Sequence, residues 1–146
     1  VPFGKYKSPK ILDKENLMSL SELLQIAKIN CGEYFSTENY IDDKSFVYFD
    51  PPYRPISDTA SFTSYSKNGF NDNHQIQLGN YFAKLHNEKN AKLMLSNSDP
   101  TIINPKDHFF KNLYARFKLN KVIANRMINC DGKGRGQISE ILITNY

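Results

Sequence analysis

The chain has 146 residues, of which 40% are hydrophobic and 13% aromatic, and its charges of both signs sum to +4. That is apolar material for one buried core and too little length for two ordinary domains, and no run is long and apolar enough to cross a bilayer. The basic balance, with a pI of about 9.0, favours an anionic partner without identifying one.

Cys31 and Cys130 stand far apart with no CxxC or Cys/His ligand spacing, the pattern of a reduced, cytoplasmic protein. His74, His86 and His108 form no metal-binding pattern, and no metal is expected. No signal peptide is read at the start. The first residue is Val1 rather than Met, as expected of a piece of a longer protein.

In chain order, residues 1–10 hold two prolines, a glycine and Lys5, Lys7 and Lys10 around Tyr6, an extended basic loop that can lie along phosphates or simply be solvated. From Asp13, an N-cap, to Lys28, the residues Leu17, Leu20, Leu24 and Ala27 recur at helical spacing and predict a helix whose stripe packs in a core. Residues 27–35 read as a short strand running into the Gly32 turn. The run from Ser45 to Phe49 reads as a buried strand, ended at Asp50 because Pro51 and Pro52 lack the N–H groups a sheet needs. Residues 54–73 show no period, and a loop of that length is functional or disordered; its rings Phe62, Tyr65 and Phe70 suit closure over a base or a groove, or packing on the sheet.

A helix capped at Asn71 or Asp72 follows, with Leu78, Tyr81, Phe82 and Leu85 on one face. Residues 91–96 form the next strand, and Ser96-Asn97-Ser98-Asp99 at its end would share a sheet edge with Asp50 if the two strands are parallel neighbours. A short helix is expected over 105–113, opened by Pro105, and two strands over 118–125 and 137–146. The joining segment holds Gly132-Lys133-Gly134-Arg135-Gly136, which opens a strand rather than a helix and so is not a dinucleotide loop. With Arg126 and Arg135 it reads as a basic hairpin able to touch a DNA backbone, or as a solvated one. Strands alternating with helices, closed by a terminal hairpin, spell a single α/β domain over 1–146.

The tetrapeptide Asp50-Pro51-Pro52-Tyr53 after an apolar strand fits one reaction. An exocyclic amino group on a nucleobase is a poor nucleophile because its lone pair is delocalised into the ring. The Asp50 carboxylate and the Pro51 carbonyl, held by fixed proline φ angles, can accept both N–H hydrogens and free that pair for attack on a methyl sulfonium. Pro52 keeps the turn rigid and Tyr53 offers a flat face for an extruded base. A plain turn with a capping Asp accounts for the same residues.

This tetrapeptide resembles motif IV of the adenine-specific DNA methyltransferases. Residues 1–7 (VPFGKYK), 62–65 (FTSY), 95–98 (LSNS) and 140–146 (EILITNY) are similar to the Dam-like enzymes of the Dam and DpnII types. The resemblance implies a Rossmann-like class I methyltransferase sheet, S-adenosylmethionine as methyl donor, double-stranded DNA as partner, a flipped adenine as acceptor and GATC as its site. It implies catalytic roles for Asp50, Pro51, Pro52 and Tyr53, donor binding by Asp50, Glu33 and Tyr34, and DNA contacts from Lys5, Lys7, Phe62, Tyr65, Arg126 and Arg135. It also implies that the chain matches the carboxyl-terminal half, without the amino-terminal strand and glycine-rich cofactor loop. The isolated chain is therefore expected to bind the donor poorly unless that half, or another chain, completes the sheet. A cognate restriction endonuclease is a further expected partner. The alternatives are a DNA-binding fragment without catalysis and an amino-methyltransferase acting on cytosine, RNA or protein.

Overall fold

A computed structural model describes residues 12–56, 69–126 and 136–146. Helix α1 spans Lys14–Ile26, with the Asp13 carboxylate accepting the Asn16 N–H at 3.3 Å. Its cap and periodicity are those expected, but its packing is not. The helix buries no residue, and Leu17, Leu20 and Leu24 stay 53%, 45% and 51% exposed. Capping and local propensity wind such a helix; only a neighbouring surface can bury its stripe.

The strand expected over 27–35 is absent. Ala27 is extended, but from Tyr34 to Tyr40 the chain coils into a 3₁₀ helix. The hydroxyls of Ser36 and Thr37 donate to the carbonyls of Glu33 (2.7 Å) and Tyr34 (2.6 Å), local bonds that compete with strand pairing.

The remaining elements are β1 (Phe46–Phe49), α2 (Asp72–Lys89), β2 (Lys92–Ser98), a 3₁₀ turn (Pro100–Ile102), α3 (Phe109–Leu113), β3 (Lys118–Arg126) and β4 (Gly136–Thr144). The sheet order is β1-β2-β4-β3, with β1 parallel to β2 and the other pairs antiparallel. The terminal hairpin strands are as predicted. The helix expected from Pro105 begins only at Phe109. The Asn104 and Asp107 side chains accept the N–H groups of Lys106 (3.1 Å) and Phe109 (3.0 Å), and these local turns delay it.

Helix α2 starts at a reciprocal cap, where Asn71 Oδ1 accepts the His74 N–H and His74 Nδ1 accepts the Asn71 N–H, each at 3.2 Å. It ends at Asn90 in the left-handed conformation, φ 54°. Leu78, Phe82 and Leu85 face the sheet residues Phe49, Leu93, Leu95, Ile141 and Ile143, and Phe110 and Tyr114 of α3 complete the core. Asn145 clips β4 to the start of β2: its side chain accepts the Leu93 N–H and donates to the Ala91 carbonyl, both at 2.8 Å.

Strand β1 pairs only with β2 among the described residues, so its outer edge is open. Phe46 and Tyr48 alternate with Val47 and Phe49 and stand on the opposite sheet face, 56% and 53% exposed.

Candidate active site

Because β1 and β2 are parallel neighbours, their carboxyl ends emerge side by side, and Asp50 lies next to the Ser96–Asp99 segment as the sequence anticipated. The Ser96 hydroxyl donates to Asp50 Oδ1 at 3.3 Å and accepts from the Tyr48 hydroxyl at 2.8 Å. This relay steadies one carboxylate oxygen, and the other accepts no hydrogen bond from the described residues. Asp50 is itself exposed, at the mouth of a cleft of about 350 Å³ whose wall includes Glu33, Tyr34, Tyr48, Pro51, Pro52 and Phe70.

The Asp50–Pro51–Pro52 turn, Glu33 and Tyr34 therefore share one cleft despite their separation in sequence. Tyr34 leans on Tyr81 with ring centroids 5.3 Å apart, and burial raises its phenol above the usual range. Tyr53 faces a second, smaller hollow of about 80 Å³, with Ser98, Asp99, Ser139 and Glu140. Its hydroxyl donates to Glu140 Oε2 at 3.3 Å. Burial pushes the Tyr53 phenol up to about 12, the Ser96 hydroxyl opposing and the Glu140 and Asp50 charges adding to the rise, so it stays protonated at neutral pH.

Behind the turn, Arg54 is pinned on several sides. Its guanidinium donates to both Asp72 oxygens (2.7 and 3.0 Å) and to Asp107 Oδ2 (2.7 Å), and lies 4.5 Å from the Phe109 ring centre. The bonds to Asp72 first, then those to Asp107, hold it charged against burial. The Arg54 N–H donates to Asn97 Oδ1 (2.9 Å), its carbonyl accepts from Ser98 Oγ (2.6 Å), and Gln75 Nε2 donates to the Pro52 carbonyl (3.0 Å). Sequence reasoning missed Gln75 and passed over Arg54. The available signal for Gln75 was a polar residue on the apolar stripe of Leu78, Phe82 and Leu85.

Of the expected DNA contacts, Lys5, Lys7, Phe62, Tyr65 and Arg135 lie outside the described residues, and Arg126 ends β3. No group of three or more His, Cys, Asp or Glu able to hold a metal occurs among the described residues. No described helix is long and apolar enough to cross a membrane.

The chain thus combines an open α/β sheet with an Asp-Pro-Pro-Tyr segment at the carboxyl end of β1, beside a cleft. Residues 1–128 match the family of D12 class N6 adenine-specific DNA methyltransferases, and the chain belongs to that family. It is 50% identical over its whole length to the Type II methyltransferase M.MjaIII of Methanocaldococcus jannaschii, matching 48% of that protein. It is 40% identical over its whole length to a Type II methyltransferase of Lactococcus lactis subsp. cremoris (49% of that protein). Over 97% of its length it is 38% identical to a DNA adenine methylase of Vibrio cholerae (48% of that protein). The chain thus spans about half the length of the relatives it matches.

Proposed function

We propose that the chain is the catalytic, carboxyl-terminal portion of an S-adenosylmethionine-dependent adenine-specific DNA methyltransferase acting on duplex DNA, with GATC as its site. The observation that carries this reading is the Asp50 carboxylate at the end of β1, tied by Ser96 on one oxygen and sharing its cleft with Pro51. Asp50 and the Pro51 carbonyl take the two N–H hydrogens of the flipped base's amino group, turning its lone pair towards the methyl carbon. Tyr53, protonated and tethered to Glu140 beside the adjoining hollow, is assigned the stacking face for the base. The donor supplies an electrophilic methyl group when bound. Glu33 and Tyr34, a carboxylate acceptor beside a flat ring on the cleft wall, suit the ribose hydroxyls and purine of an S-adenosyl group, with Asp50 at the same mouth. Catalysis then rests on positioning, without a covalent enzyme intermediate. Lys5, Lys7, Phe62, Tyr65, Arg126 and Arg135 are assigned to the DNA, and a cytoplasmic setting with a cognate restriction endonuclease fits the Type II names of the relatives.

The reading includes an amino-terminal half that supplies the glycine-rich loop and covers the open β1 edge, the Phe46/Tyr48 face and the α1 leucines. Its support is the half-length match together with that exposed apolar surface. The test is labelled methyl transfer from S-adenosylmethionine to a GATC duplex, by the chain alone and with a separately expressed amino-terminal half of a relative. Transfer is expected to be weak alone, restored by the added half and abolished by Asp50→Ala. Transfer to RNA, protein or cytosine instead of adenine would overturn the acceptor assignment, and DNA binding indifferent to Asp50→Ala with no transfer would leave a binding fragment.

A further inference from the structure

Gln75 and Asn97 are completely buried, Gln75 on the face of α2 that carries Leu78 and Phe82 and Asn97 on the face of β2 that carries Leu93 and Leu95. Buried amides are costly in such a setting unless every bond is made, and two apolar side chains would pack there as readily. These amides bind each other, the Pro52–Arg54 backbone and the end of β2. Asn97 Nδ2 donates to Gln75 Oε1 (3.2 Å), Gln75 Nε2 donates to the Pro52 carbonyl (3.0 Å), and Asn97 Oδ1 accepts the N–H groups of Arg54 and Ser98 (2.9 Å each). Ser98 Oγ closes the ring by donating to the Arg54 carbonyl at 2.6 Å.

We propose that Gln75 and Asn97 form a brace that aims the Asp50–Pro51 acceptor pair, making them positioning residues for methyl transfer. The Pro51 and Pro52 carbonyls flank the Pro52 Cα, where the ring fixes φ and leaves only ψ to turn one against the other. Pinning the Pro52 carbonyl on Gln75 and the Arg54 N–H on Asn97 therefore restrains the backbone that carries the Pro51 carbonyl, and Pro51 itself lines the cleft. Since a misplacement of about 1 Å can reduce a rate about 100-fold, a brace with no substrate contact is felt in turnover and not in binding.

This inference rests on the proposed function, and its test separates the two. In the chain completed by an amino-terminal half, Gln75→Leu is expected to lower kcat about 10- to 100-fold while KM for DNA and donor shifts by less than about threefold. Gln75→Glu discriminates further. A neutral carboxyl can donate to the Pro52 carbonyl and accept from Asn97, whereas a carboxylate cannot donate, so its kcat relative to the unaltered enzyme is expected to fall as pH rises. Amide hydrogen exchange of the chain alone reads the brace without activity, and in Gln75→Leu the Arg54 amide is expected to exchange at least about tenfold faster while β4 keeps its protection. Unchanged kcat in a folded Gln75→Leu, a flat pH ratio in Gln75→Glu, or unchanged Arg54 exchange would each overturn the brace. Should the completed, unaltered enzyme transfer no methyl group, the functional reading fails, and the exchange result alone then says whether the turn is held as described.

Discussion

On the proposed function, Tyr53 separates two jobs within one side chain. Its ring is assigned to the base and its hydroxyl to Glu140, so Tyr53→Phe keeps the stacking face and loses only a 3.3 Å bond. In the completed enzyme Tyr53→Phe is expected to lose less than about tenfold in kcat/KM, and Tyr53→Ala to lose a further stacking contribution of roughly 1–3 kcal/mol. Steady-state kinetics on one duplex checks both, and equal losses would deny the ring its role. The Asp50–Tyr53 turn was legible because the prolines dictate backbone wherever they occur. Gln75 and Asn97 were not, because their partners are backbone groups on another element, joined only by the fold. Even so, each interrupts an apolar pattern, Asn97 following Leu93 and Leu95 on the same face of β2.

Between elements, α2 comes close to α3 at Gly79. A Cβ on Gly79 would lie 2.9 Å from both Cγ and Cδ1 of Leu113, and Cγ is not a free end that can swing away. Gly79→Ala is expected to destabilise the fold by about 1–3 kcal/mol despite the better helix propensity of alanine. Urea unfolding would show it as a lower midpoint at unchanged slope. Helix α2, β2 and β4 were readable because their period and burial agree, whereas β1 was placed by the prolines that end it and is not the buried strand expected, since Phe46 and Tyr48 are exposed. The 27–35 segment misled because a strand-like composition cannot form a strand without a neighbour, and Ser36 and Thr37 offer the backbone local bonds instead. The α1 stripe misled in the complementary way: its period is that of a buried helix, but period does not say which surface buries it.

At the scale of the molecule, two carboxylates tie distant segments together. Burial opposes ionisation of Asp99, but bonds from Thr101, Lys121 and Ser139 hold its carboxyl below the usual range. Asp107 is likewise held low against burial, chiefly by Arg54. Both values are depressed on folding, so their stabilisation is present above the unfolded value of about 3.9 and is lost as pH falls through the folded values. Thermal unfolding followed from pH 6 towards pH 3 is expected to show a falling midpoint, and Asp107→Asn, which keeps an acceptor for the Phe109 N–H, a shallower fall.

The same scale gives the position of Tyr48 its significance. This ring stands on the uncovered face of an edge strand, yet its hydroxyl is the outer end of the relay that reaches Asp50 through Ser96. On the proposed assembly, the joint between the two halves and the grip on the acceptor amine are physically continuous. Reciprocity then follows: whatever factor the amino-terminal half adds to the affinity for methyl donor and DNA, donor and DNA must return to the affinity between the halves. Substrate would thus act as glue, and two pieces that scarcely associate when empty would be found together on their DNA.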